Sequence, residues 1–344
     1  MFFASDNTSG AAPEVMAALL RANDGYARGY GADAIMDRVR AQVREIFEAP
    51  EAAVFLVASG TAANALALSI ACPPWGAVFC HTQAHIAEDE CGAPEFYTNG
   101  AKLVLVPGAH GRMTPESLAQ TIARTGTGGV HGVQRGMVSI TNVTEAGTAY
   151  TPAEVAALTA VARSHGLPAH LDGARFANAL VATGVSPAAM TWQAGVDILS
   201  FGGTKNGLIG AEAVVIFDPA KAWGFELRRK RGGHLLSKHR YLSAQIEAYL
   251  TDGLWLRLAG QANAMGAALT RGLMALPGVS LQHPAPANML FPVWPMGTHA
   301  RAEAMGAVYY QMPAPDGAEA ARLVASWSTT DADVANLLAA LSPR

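Results

Sequence analysis

The sequence predicts an α/β protein, with a large domain built on a mostly parallel central sheet and a smaller C-terminal α+β domain. Three observations predict it. Short apolar runs alternate with helical patterns up to about residue 220. The apolar residues of those runs are nearly continuous, as in strands covered on both faces. From about residue 238 the alternation gives way to long helical stretches and a few short strand candidates.

Seven segments read as buried strands: 52–58, 77–81, 102–108, 136–141, 168–172, 197–202 and 211–217. Between the strands, residues 34–47 place Ile35, Val39, Val43, Ile46 and Phe47 along one helical stripe. Residues 152–165 open with Thr-Pro-Ala-Glu, a helix-start pattern. Strands that alternate with helices in this way favour a parallel sheet. Further on, helices at 238–251 and 254–275 lead to short strand candidates at 279–283, 288–294 and 321–327. The boundary is drawn so that 1–245, including an N-terminal arm, form the large cofactor-binding domain and 246–344 the small one.

Composition narrows the function classes. A chain of 344 residues, 51% hydrophobic and 15% charged, can bury a large core. Its 24 Lys+Arg against 27 Asp+Glu give no global pull toward nucleic acid or an anionic membrane. Cys72, Cys80 and Cys91 form neither a CxxC pair nor an even set, so no disulfide framework or zinc site is expected. The N-terminus lacks a basic start, and no apolar run reaches the roughly 18 residues of a membrane span. A soluble cytoplasmic protein without a metal is the expectation.

In an open α/β sheet ligands bind beyond the carboxyl ends of the strands, so the residues following each strand are the candidates. After 52–58 come Ser59, Gly60 and Thr61, opening a helix. They offer free backbone N–H groups for a phosphate, or simply an ordinary helix cap. After 77–81 comes His85, either a structural histidine or a flat ring for stacking. Asp172 ends another strand with Arg175 three residues on, either a structural ion pair or two parts of one site. Lys205 follows in the glycine-rich stretch "SFGGTKNG". It does not fit a Walker loop, because Thr204 precedes it and Asn206 follows. The stretch "GTGGVHG" (126–132) misses the dinucleotide-loop spacing and reads as a polar surface loop.

Together these groups are what pyridoxal phosphate requires. A lysine forms a Schiff base with its aldehyde, and glycine neighbours let backbone pack close to the ring. A carboxylate keeps the pyridine nitrogen protonated, so the ring can accept electrons from a carbanion.

On these residues the chain resembles the L-threonine aldolases (low-specificity type) of the β-eliminating lyase group, within the aspartate-aminotransferase-type PLP fold, fold type I. The resemblance runs over nearly the whole chain. It rests on "SDNT" (5–8), "RGYGAD" (28–33), "SGTAANALAL" (59–68), "AHIAEDECG" (84–92), "HLDGARFANA" (170–179), "SFGGTKNG" (200–207), "NMLF" (288–291) and "RLVASW" (322–327). It implies that Lys205 holds the cofactor, that Asp172 meets the pyridinium, and that Ser59, Gly60, Thr61 and Thr204 surround the phosphate. His85 would stack on the ring and move protons. Ser5, Arg175 and Arg322 would hold the substrate carboxylate, with Tyr30, Asp89 and Glu145 near the substrate. Within the basic run 228–238, Lys238 would reach a neighbouring subunit's cofactor, while Arg228 to Arg231 read as a solvated helix face. A homo-oligomer, a dimer of dimers with active sites at subunit boundaries, follows from the same resemblance.

Two positions depart from the family pattern. Many low-specificity members carry a second histidine near the segment matched by 141–148, where this chain offers Thr144 and Glu145. Glu145 either replaces that histidine or is a solvated loop carboxylate. Asp89 stands where an apolar or aromatic side chain might line the pocket, which implies a bulkier or more polar aldehyde. The expected activity is reversible cleavage of L-β-hydroxy-α-amino acids to glycine and an aldehyde. The alternatives are another PLP-dependent lyase or racemase, and a non-catalytic PLP- or nucleotide-binding protein.

Overall fold

A computed structural model describes residues 1–342. All seven anticipated strands form one sheet: β1 (Ala53–Val57), β2 (Gly76–His81), β3 (Lys102–Val106), β4 (Gln134–Thr141), β5 (Ala169–Gly173), β6 (Ile198–Phe201) and β7 (Glu212–Ile216). Their order is β1-β7-β6-β5-β4-β2-β3. Neighbours from β6 through β3 pair in parallel, and β7 runs antiparallel to both β1 and β6. β2, β5, β6 and β7 are buried along their whole length, so β2 and β7 read as apolar runs, while β5 carries buried His170 and Asp172 at alternate positions.

Helices cover both faces of the sheet. Ala34–Ile46 is capped by Asp33, whose carboxylate accepts the Met36 N–H, and it buries Met36, Val39 and Val43. Pro152–Ser164 begins with a reciprocal cap between Thr151 and Glu154. The helix Pro13–Ala22 was not anticipated; its buried face is only Val15, Ala18 and Ala22, too small a stripe to stand out.

A second sheet contains β8 (Ser280–Leu281), β9 (Met289–Leu290), β10 (Pro292–Pro295), β11 (Tyr310–Met312) and β12 (Ala318–Val324), all paired antiparallel. It has its own core of Leu269, Leu273, Leu290, Trp294, Leu323 and Leu337. The helix Leu254–Met274 links the two bodies. Its first turns, with Trp255 and Leu258, pack in the large core, and Leu269 and Leu273 pack in the small one.

The first residues of the N-terminal arm reach the second sheet, while Asp6 and Ala12 bond to Arg175 and Gly207 of the large domain. Phe3 is buried in the smaller core, its N–H donates to the Val308 carbonyl, and its own carbonyl accepts the Val324 N–H. The basic run needs a correction. Arg229 is not solvated: it is buried against the Phe55 ring and donates to the Leu56 carbonyl at 3.0 Å and to Glu226. A guanidinium can be buried when carbonyl and carboxylate acceptors satisfy it, and a count of charges along the chain does not reveal such partners. The 126–132 stretch is an exposed turn after the helix Pro115–Arg124, with no strand before it.

Because β1, β2, β4, β5 and β6 point the same way, the segments that follow them converge on one edge of the sheet. β7 runs the other way, so it begins at that edge and adds Glu212.

Candidate active site

A cavity of about 280 Å³ opens at this edge, lined by Ser59, Gly60, Thr61, His85, Asp172 and Lys205 among others. Residues separated by up to 205 positions in sequence, from Asn7 to Glu212, are thereby brought together. The helix Gly60–Ser69 points its N-terminus into the cavity. Ser59 does cap it, accepting the Ala62 N–H at 3.3 Å, while the N–H groups of Gly60 and Thr61 have no carbonyl partner within the helix. Capping and anion binding are therefore compatible here.

Asp172 ends β5 and is fully buried. One of its oxygens accepts the Ala174 N–H at 3.1 Å and the other the Asn64 amide at 3.1 Å. The same Asn64 nitrogen donates to Glu90 at 2.9 Å, and Glu90 lies 2.9 Å from His85 Nδ1. His85, Glu90, Asn64 and Asp172 thus form a continuous chain that orients the imidazole from behind. The Glu90 hydrogen bond, helped by the charges of Asp172 and Glu145, raises His85 above its ordinary value against the opposing effect of burial. Burial in turn raises the Glu90 carboxyl. A raised imidazole keeps its proton to higher pH than a free one and loses it as pH climbs through the raised value. Glu90→Gln should therefore move the His85 titration to lower pH. Imidazole NMR resonances of the holoenzyme followed against pH check this, and an unmoved titration would contradict it.

Lys205 sits in the turn Thr204–Asn206 after β6. The turn is held from below: the Asn206 amide donates to Tyr249 Oη at 2.7 Å and to the Trp255 carbonyl at 2.9 Å. Glycine is required beside it. A Cβ at Gly202 would run into the Ala174 backbone, and Gly207 adopts φ +95°. Glu212 accepts the Gly203 N–H at 2.7 Å, and burial raises its carboxyl.

Arg175 does not pair with Asp172. Its Nε and Nη2 donate to the two oxygens of Asp6, at 2.7 and 2.9 Å, and both side chains are buried. Burial alone would raise the Asp6 carboxyl, but Arg175, Lys205 and Asn288 outweigh it and hold it below the usual carboxylate range. Ser5, beside it, caps the short turn Asp6–Thr8 by accepting the Asn7 N–H.

A second cavity of about 340 Å³ has Asp89, next in sequence to Glu90 of the first, in its wall, together with Glu145 and Arg322. Arg322 stacks 4.8 Å from the Tyr310 ring and donates to the Ala4 carbonyl at 3.2 Å. Glu145 is half-buried and near enough to bear on both His85 and Arg175, so it is not a remote loop carboxylate. Thr144, by contrast, spends its hydroxyl on Thr148 at 2.8 Å. Tyr30 and Lys238 are exposed and line neither cavity within one chain.

The first cavity fits pyridoxal phosphate. Thr204 lines it beside Glu212, next to the open N-terminus of the helix, where the N–H groups of Gly60 and Thr61 have no carbonyl partner within the helix. A Cβ at Gly60 would meet nothing within 4 Å, which leaves room at the phosphate end. Asp6, Asn64, Glu90 and Glu212 are site residues that the sequence did not reveal. Asp6 and Asn64 act through partners more than a hundred positions away, whereas Glu90 meets His85 and Glu212 meets Gly203 close in sequence.

The Beta-eliminating lyase family model matches residues 3–293. A low specificity L-threonine aldolase from Pseudomonas sp. (strain NCIMB 10558) is 41% identical, covering 98% of this chain and 96% of the relative. One from Pseudomonas aeruginosa is also 41% identical, covering 95% and 93%. Among solved structures, Leishmania major threonine aldolase matches with a TM-score of 0.93 at 30% identity, covering 99% of this chain and 98% of that one.

Proposed function

Because the chain belongs to the β-eliminating lyase family, in its threonine aldolase branch, we propose that it is a PLP-dependent aldolase that cleaves L-β-hydroxy-α-amino acids reversibly to glycine and an aldehyde. The observation that carries the reading is the convergence of the Ser59–Thr61 helix start, Asp172 and Lys205 on one cavity. Lys205 would hold the cofactor through its ε-amine, Asp172 would face the ring nitrogen, and Ser59, Gly60, Thr61 and Thr204 would take the phosphate. When bound, pyridoxal phosphate supplies an electron-accepting ring that stabilises negative charge at the substrate Cα.

The chain's own groups decide which bond breaks. Arg175, pre-set by Asp6, and Arg322 are suited to gripping the α-carboxylate, with Ser5 beside them. A substrate held there by its carboxylate has restricted rotation about its N–Cα bond, and the retro-aldol reaction requires the Cα–Cβ bond to be the one so presented. The β-hydroxyl must then lose its proton. His85, held by Glu90, and Glu145 in the second cavity are the candidate acceptors. Asp89 lines the side-chain end of the same cavity.

Lys238 and Tyr30 have a role only if a second subunit meets this face. We infer a homo-oligomer in which Lys238 reaches a neighbour's cofactor, a dimer of dimers in the cytoplasm.

The test is a product analysis. Incubation of the holoenzyme with L-threonine, L-allo-threonine or L-phenylserine should release glycine and the matching aldehyde. Formation of an oxo acid with ammonia, or of the D-amino acid, would overturn the aldolase reading in favour of elimination or racemisation.

A further inference from the structure

The cavity that holds Arg322, Asp89 and Glu145 is also walled by His283, Phe291 and Met312. On the aldolase reading, on which this inference rests, Arg322 is engaged by the substrate carboxylate. The rest of the cavity then receives the β-substituent. Three of its walls are carboxylates (Glu88, Asp89 and Glu145) and three are apolar (Ala146, Phe291 and Met312); His283 shares the neutral polar lining with Gln83 and Gln282 and is its one ring.

His283 is positioned from two sides. Its Nδ1 lies 3.1 Å from Nδ1 of His110, with the rings edge to face at 81°. Its other flank meets Phe291 edge on, at 5.4 Å between centroids. His110 in turn is fixed by its carbonyl, which accepts the Thr148 hydroxyl at 2.7 Å. His110 follows β3 of the large sheet and His283 follows β8 of the small one, so the pair joins the two bodies at one wall of the cavity, with His110 behind its lining. Two Nδ1 atoms at hydrogen-bond distance share one proton, because a second would set N–H against N–H. Burial and the neighbouring His110 likewise disfavour a charged His283. Nδ1 is therefore committed, while Nε2 makes no hydrogen bond among the described residues.

We propose that His283 is a specificity-determining residue, its Nδ1 accepting the shared proton from His110 and its Nε2–H donating to the β-substituent, so that the cavity favours side chains carrying a neutral hydrogen-bond acceptor over hydrocarbon ones of the same shape. The preference is for rings such as pyridyl over phenyl. Anionic side chains are rejected by Asp89 and Glu145. His110 is a positioning residue that acts through His283.

The experiment uses the holoenzyme and an isosteric pair, β-(4-pyridyl)serine and β-phenylserine, with kcat/KM measured for each. Intrinsic reactivity differs between the two substrates, so the quantity read is the pyridyl-to-phenyl ratio of each variant divided by that of the unmodified enzyme. His283→Phe should lower this ratio about tenfold, the worth of one neutral hydrogen bond. His283→Gln, which keeps a polar group, should lower it less. His110→Ala, which frees the ring, should lower it a few-fold, and it serves as an independent arm if His283→Phe folds poorly. A ratio unchanged in all three variants overturns the proposal. Glycine release from L-threonine by the unmodified enzyme is measured alongside. Its absence defeats the aldolase reading itself, a result distinct from an unchanged ratio in an enzyme that cleaves threonine.

Discussion

Lys205→Ala should lower kcat/KM for L-threonine by on the order of 10⁴-fold, the scale of losing a residue that acts in the reaction itself. The same variant should lose the visible absorbance of the bound cofactor. It should nevertheless fold. The turn that carries Lys205 is anchored by Asn206 to Tyr249 and Trp255 and by Gly203 to Glu212, and the lysine side chain takes no part in these bonds. A far-ultraviolet spectrum and melting curve close to those of the unmodified protein, with turnover gone, is the expected combination. Turnover within tenfold of the unmodified enzyme would contradict the assignment.

Asp6→Asn should cost about 3–5 kcal/mol of stability, because it leaves the buried Arg175 guanidinium without its counter-charge. Asp6 also accepts the Asn288 amide at 3.1 Å, and Asn288 donates as well to the Ala325 carbonyl at 2.8 Å. The loss should therefore spread to the junction between the two sheets. Urea unfolding of the holoenzyme measures it. The pH dependence has a definite sign. The Asp6 carboxyl is held below its ordinary value in the folded protein, so its contribution is present above the unfolded value and fades as pH falls through the folded one. The Asp6→Asn protein should lack that component of acid sensitivity. Replacing both partners, as Asp6→Leu with Arg175→Met, should recover part of the stability, since an apolar pair leaves no stranded charge. It should not recover activity if Arg175 binds the substrate carboxylate. An Asp6→Asn protein as stable as the unmodified one would show that the pair is not what orders the arm.

The central sheet was legible in the sequence because its inner strands are buried on both faces. A strand covered on both sides needs an unbroken apolar run of strand length, and β2 and β7 supply one each. The residues at the strand ends were legible for a related reason: Asp172 and Lys205 are isolated charges in apolar or glycine-rich stretches. What could not be read were the groups that support them. Asn64 bridges Asp172 and Glu90, Asp6 reaches Arg175, and Glu212 steadies the Lys205 turn. These partners are set by how the strand ends converge, and no spacing in the chain encodes that. Arg229 is the converse case, a charge inside a basic run that the fold buries because carbonyl and carboxylate acceptors await it. The His110–His283 pair also escaped notice, since its members lie 173 positions apart and on different sheets.

The chain contains five lysines: Lys102, Lys205, Lys221, Lys230 and Lys238. Reduction of the holoenzyme with borohydride fixes the cofactor to whichever lysine carries it, and peptide mass mapping then identifies that residue. The structure predicts a single modified peptide bearing the pyridoxyl group on Lys205. Modification of any of the other four, or of none, would contradict the account at its centre.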